Sequence, residues 1–347
     1  MLFDPELLQQ VAQDDWVQRV VQAYDGDGDR LQELLTAVRQ TFEVISPETL
    51  EDGVTVFVDA ACSDQFATAG TKLESLDTLV DFIGSHISIC FTDGEFTFWQ
   101  ERVEPNQLSQ SAPAYYYNGA DQIVTQAASL EILSPTGFYS LFAVPTFSDL
   151  EDALTHYDSA HARHSRCKIL ESCWHSDHRV LLANKPEESM RDSLEQFLVS
   201  TLRNHKLVEV RPEQNVDASH PADLKVAWTL TNRIAFIEIK WLGDSVTQSG
   251  TSLTTYRDAR AREGEQQIAE YLDFNRKYTP NHDVRGYLVV FDARRSGARF
   301  AEADLTAAEA HHYALSSIDY GQNPLHESRR DLAEPVRFFM NPRVAAA

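Results

Sequence analysis

No run in this chain approaches the roughly 18 consecutive apolar residues needed to cross a bilayer. The opening Met-Leu-Phe-Asp-Pro-Glu lacks the basic and apolar segments of a secretion signal. Cysteine is scarce: Cys62, Cys90, Cys167 and Cys173 are too few for a disulfide framework. A cytoplasmic protein with no membrane partner is therefore expected. Three common catalytic signatures are also missing, the Gly-x4-Gly-Lys phosphate loop, the Gly-x-Ser-x-Gly elbow and the His-Glu-x-x-His zinc helix. Internal repeats and low-complexity tracts are absent as well.

Basic residues are missing from one half only. Residues 1–150 hold 5 Lys+Arg against 24 Asp+Glu, whereas residues 181–300 hold 17 of each, within a chain of net charge −23. The two halves therefore suit different partners. The first repels a phosphate backbone and fits a protein partner or an autoinhibitory contact, and the second can hold phosphates locally. With 347 residues, 43% hydrophobic and 24% charged, the chain is long enough for two folded domains.

The first half reads as mixed α and β. Leu7, Leu8, Val11, Trp16 and Val20 mark an amphipathic helix over 5–23, and a second is expected over 31–42. Between them, Asp25-Gly-Asp-Gly-Asp29 imitates a calcium loop. Arg30 and Thr36 stand where its glycine and glutamate belong, so an acidic turn is expected. Residues 54–58 read as a strand, and alternation on both sides of Asp93-Gly94 signals a hairpin over 86–99. Helices are expected at 120–133 and 148–168.

The second half has the order α-β-β-β-α-β. A helix over 186–202 precedes strands at 207–210, 224–230 and 233–240, with a tight turn at Thr231-Asn232. A Ser/Thr/Gly-rich stretch over 244–255 reads as a mobile loop. A helix over 257–274 and a buried strand over 286–291 follow, then a short helix and a closing hairpin (313–318 with 335–340). The run Arg-Ile-Ala-Phe-Ile-Glu-Ile-Lys, 233–240, has the apolar character of a buried strand yet ends in Glu238 and Lys240. Side chains two apart on a strand share a face, and Asp223 joins them if the neighbouring runs pair. Two carboxylates and an ammonium there suggest an oxygen-ligand metal site with a lysine at its edge, where a bland reading sees only an ion pair.

Pro221-Ala-Asp223, Glu238-Ile-Lys240 and that element order resemble the PD-(D/E)xK nuclease superfamily over about residues 185–295. Gln267-Ile-Ala-Glu-Tyr271 looks like the Gln-x-x-x-Tyr motif of one of its branches, and Ala222 departs from the usual Pro-Asp pair. The resemblance implies an α/β fold with a restriction-endonuclease-like αβββαβ core, preceded by a separate mixed α+β acidic domain. It also implies a Mg²⁺- or Mn²⁺-dependent endonuclease, with DNA favoured over RNA as the nucleic-acid partner. A bacterial antiviral defence or restriction effector controlled by its first domain is the broader expectation, and a catalytically silent nucleic-acid- or partner-binding scaffold is the alternative. By resemblance, Asp223, Glu238 and the Ile239 carbonyl bind the metal and Lys240 orients or deprotonates the attacking water. Glu188 completes the site from the first helix, with Glu195 as the other candidate. Gln267 reaches the site or a phosphate, and Tyr271 supports it. Lys225, Arg257, Arg260 and Arg262 are candidate phosphate contacts, with Arg294 and Arg295 behind them. The expected domains are 1–150 (acidic), 151–180 (a helical linker), 181–300 (nuclease-like) and 301–347 (a packing extension). His161, His164, Cys167, Cys173, His175 and His178 cluster in the linker at no recognisable zinc spacing, so a structural zinc is not expected.

Overall fold

The computed structural model describes residues 15–344 apart from 27, 51, 59–70, 74–75, 77–78, 80–85, 93, 101–102, 111, 135–138, 203–207, 215–221, 230, 279–281 and 301–304. Pro221, Leu207, Leu7, Leu8, Val11, Cys62, Asp27 and Asp93 thus lie outside the described residues. The chain is mixed α/β and divides into two compact units. One is Met1–Ser148 with Leu230–Asn232 and Asn281–Asp283, and the other is the remainder from Asp149 to Ala347. None of the described helices is long and apolar enough to cross a membrane.

In the first unit, backbone is helical over 15–23 and over α1 (Asp29–Val44). A seven-stranded mixed sheet follows: β1 (Val54–Val58), β2 (Thr71–Leu73), β3 (Ile87–Thr92), β4 (Glu95–Trp99), β5 (Ala114–Tyr117), β6 (Asp121–Val124) and β7 (Ser129–Ile132). Its order is β2-β4-β3-β1-β5-β6-β7. Only β1 and β3 run parallel among the paired strands described. Trp16, Val20, Leu34, Val38 and Phe42 pack with Val54, Val56, Ile89 and Tyr115 as its core. The hairpin over 86–99 forms as expected, with Gly94 at φ +82° supplying the left-handed turn residue. The helix expected at 120–133 does not form. Those residues are the antiparallel β6–β7 hairpin, recruited by pairing with the tyrosine-rich β5. Asp121 is fully buried there and accepts bonds from Tyr115, Ser134, Ser140 and the Leu141 N–H. Four such donors satisfy a buried carboxylate in place.

The expected helix at 148–168 is broken. Helix α2 (Phe147–Tyr157) passes into a single π-turn, Asp158–Ala162, and a one-turn helix follows at Lys168–Glu171. Cys167 caps that turn by accepting from the Leu170 N–H, and the Cys173 thiol is buried, which pushes its pKa up to about 12. Among the described residues, no three His, Cys, Asp or Glu side chains converge as a metal site.

The second unit is built on a six-stranded mixed sheet. Helix α3 (Glu187–Thr201) leads into β8 (Val208–Gln214), β9 (Ala222–Trp228) and β10 (Arg233–Val246). Then come β11 (Leu253–Tyr256), helix α4 (Asp258–Tyr278), β12 (Asp283–Asp292) and β13 (Val336–Phe339). The order is β13-β12-β10-β9-β8, with β11 paired to β10 off that path. β10 is buried at every position, which explains its long apolar reading. The stretch 244–255 is not a mobile loop: β10 and β11 pair as a hairpin, and only 247–252 form its exposed tip, where Thr247, Ser249, Thr251 and Ser252 hydrogen-bond one another. The closing hairpin is also corrected. β13 lies parallel to β12 and no strand forms over 313–318, although a capped turn of helix does form at Ala307–Ala310.

Arg294 and Arg295 are structural cations. Each is about 2% exposed or less. Asp292, fully buried at the end of β12, accepts from Arg294 Nε at 3.0 Å and Arg337 Nε at 2.8 Å. Arg294 also binds Asp258 at the start of α4. Arg295 donates to the carbonyls of Arg294 and Met340 and lies over Trp174 and Phe339. Burial lowers its pKa to about 10.

Candidate active site on strands β9 and β10

β9 alternates buried and half-buried positions, placing Asp223, Lys225 and Ala227 on one face. Its ladder with β10 pairs Leu224 with Ile237 and Lys225 with Phe236. Continuing that register one step sets Asp223 opposite Glu238, on the face that also carries Lys240. The structure thus brings Asp223, Glu238 and Lys240 together. The Ile239 N–H donates to Asp223 Oδ2 at 2.7 Å, so Ile239 holds this carboxylate through its amide. The Lys240 ammonium donates to Glu238 Oε1, and both side chains are 3% exposed. Among the described residues, Glu238 Oε2 is buried with no hydrogen-bond partner, and so is the hydroxyl of Tyr271 on α4.

The electrostatics follow from crowding acids in a dry place. Burial, then the Asp223 charge, push the Glu238 carboxyl up to about 8, against the opposing charge and hydrogen bond of Lys240. Asp223 rises to about 6, chiefly through burial, with the Ile239 N–H and then Lys240 and Arg191 holding it down and Glu187 pushing it up. Tyr271 is raised by burial, then by Glu238 and Asp223.

From α3, the acid that acts on both carboxylates is Glu187, half-buried and 3.7 Å from Arg260. Glu188, one residue on, is exposed. Successive residues differ by about 100° around a helix, so one position decides which faces the site. Glu195 answers to Asp192 and Arg191 instead. Gln267 is half-buried and lines a shallow cavity of about 540 Å³ with Arg260, Arg262 and Gln266.

Most of the basic residues have duties of their own. Arg257 holds both oxygens of Asp244 at 3.2 and 3.0 Å and braces the hairpin. Arg262 donates to the Asp319 carbonyl. Arg260 spans Glu263 and Glu187 over the Tyr256 ring. Lys225 shares the face of Asp223, 6.0 Å from the Phe236 ring centroid, and burial lowers its pKa.

Gly264 was legible only as an isolated glycine inside a helix, a common sign of close packing. A Cβ there would lie 2.6 Å from Lys240 Cγ and 2.7 Å from Leu288 Cδ1. Gly264→Ala therefore displaces the Lys240 stem. Its helix-propensity gain of about 1 kcal/mol is offset by overpacking of about 1–3 kcal/mol. We expect a near-neutral melting temperature, read by thermal unfolding, and, under the function proposed below, cleavage down roughly 10²-fold from misplacement of the ammonium.

Comparison with protein-family models, curated proteins and solved structures returns no match to this chain.

Proposed function

We propose that the second unit is a metal-dependent nuclease of the PD-(D/E)xK kind with a restriction-endonuclease-like core, hydrolysing phosphodiester bonds, with DNA as the favoured substrate. One observation carries this reading. A buried carboxylate oxygen, Glu238 Oε2, has no partner among the described residues, beside a second carboxylate and a lysine on the same sheet face. An orphaned buried acceptor of this kind costs about 1–3 kcal/mol unless a ligand satisfies it. A divalent cation would also favour the ionised form of both carboxyls, which burial above all holds protonated.

Asp223 and Glu238 are the side chains that would hold Mg²⁺ or Mn²⁺, and Glu187 contributes negative charge from α3. Two close carboxylates suit magnesium, a hard cation that prefers oxygen ligands. Bound there, the metal would lower the pKa of a water and polarise the phosphoryl oxygens. Once released from Glu238, Lys240 would hold the attacking water and offset developing charge, and the Tyr271 hydroxyl, which has no partner among the described residues, would be a further donor. Control by the acidic first unit, in defence against foreign nucleic acid, is the wider role we propose.

The test is incubation of the full chain with supercoiled, linear and single-stranded DNA and with RNA, under Mg²⁺, Mn²⁺ or chelator. Cleavage that needs metal and is absent from Asp223→Ala supports the reading and names the substrate class. Metal-independent cleavage, or none on any substrate, sinks it and favours a binding scaffold.

A further inference from the structure

Lys240 occupies an unusual position for a group that must meet a water or phosphate. Its ammonium is turned onto Glu238 and is as inaccessible as the carboxylate. Its stem is fixed, because α4 passes so close at Gly264 that a single added carbon would lie 2.6 Å from Lys240 Cγ. The nearby guanidiniums are otherwise occupied: Arg260 is held by Glu263 and Glu187, and Arg191 lies 3.4 Å from Asp192.

We infer that Lys240 is the resident counter-cation of the Asp223/Glu238 pair, and that a divalent cation must take Glu238 from it to bind. This rests on the metal-site reading above. Two unpaired carboxylates buried together would be costly, and an ammonium two residues along the strand satisfies one of them at no loop-closure cost. A dication and an ammonium sharing one carboxylate at low dielectric repel strongly. Metal entry therefore turns the ammonium away from Glu238, while α4 keeps the Lys240 stem in place. Lysine becomes available to substrate only when metal is in place, so one carboxylate links the two events.

Mg²⁺ alone is the probe. Calorimetric titration of the full chain at pH 9 compares wild type with Lys240→Met and Lys240→Gln. Both variants remove the charge, and the glutamine keeps a donor for Glu238. We expect Mg²⁺ to bind both variants about tenfold or more tighter than wild type, with a larger Mg²⁺-induced rise in melting temperature, although neither variant cleaves. Should one variant not fold, the other carries the comparison. Equal or weaker Mg²⁺ binding in the folded variants, with a wild type that cleaves, overturns the counter-cation role alone. A wild type that neither binds Mg²⁺ nor cleaves overturns the metal-site reading and this inference with it.

Discussion

Glu238→Gln is expected to lower the proposed metal-dependent cleavage by roughly 10³-fold, about 4 kcal/mol of transition-state stabilisation, while leaving the fold intact. Glutamine keeps the shape and can still accept from Lys240, but it offers a divalent cation only a neutral oxygen. The same variant should change how stability depends on pH. The Glu238 carboxyl lies at about 8 in the folded protein against an ordinary 4.5. As pH rises between those values, the unfolded chain releases a proton that the folded protein retains, so stability falls across that window. Asp223, raised from 3.8 to about 6, acts in the same direction over a lower window. Without metal, the melting temperature of wild type should therefore fall relative to Glu238→Gln between pH 5 and pH 8, by roughly 3 °C or more. Added Mg²⁺ at pH 8 should raise wild type and leave the variant unmoved. A constant difference across that pH range would show that Glu238 is not held protonated.

Asp292→Ala should produce the largest loss of stability, about 3–5 kcal/mol. The carboxylate is fully buried and serves the guanidiniums of both Arg294 and Arg337. Removing it strands Arg294, 2% exposed, with Asp258 as its remaining acid partner. Because Asp258 opens α4, the loss should spread to the helix that backs Lys240. Urea unfolding measures the cost. A change under 1 kcal/mol would mean that water reaches the guanidiniums and that the cluster is not a closed network.

Local patterns foretold the elements whose partners are near in sequence. The Asp93-Gly94 hairpin, the helices now seen at Asp29–Val44, Glu187–Thr201 and Asp258–Tyr278, and the runs that became β9, β10 and β12 all carry their own periodicity. Distant pairing was illegible. Residues 121–132 carry helix-tolerant Gln and Ala yet become strands because β5 offers an edge, and β13 pairs with β12 from over forty residues away. At the site, the strand period put Asp223, Glu238 and Lys240 on one face. Choosing between Glu187 and Glu188 needed a helix phase accurate to a single residue. The arginines were illegible in another way: the sequence showed a charge that suits phosphate but not that Asp244 pairs with Arg257 and Asp292 with Arg294.

The length of β10 has a mechanical consequence. Fourteen residues of strand, about 45 Å at the usual rise, run without interruption from the turn at Asn232, through Glu238 and Lys240, into the β11 hairpin. The exposed tip around Gly250 is thus the free end of the beam on which the carboxylate sits. A fluorophore or short epitope carried at the tip would ride on the same backbone, reporting movement at the root without a label near Glu238 and Lys240.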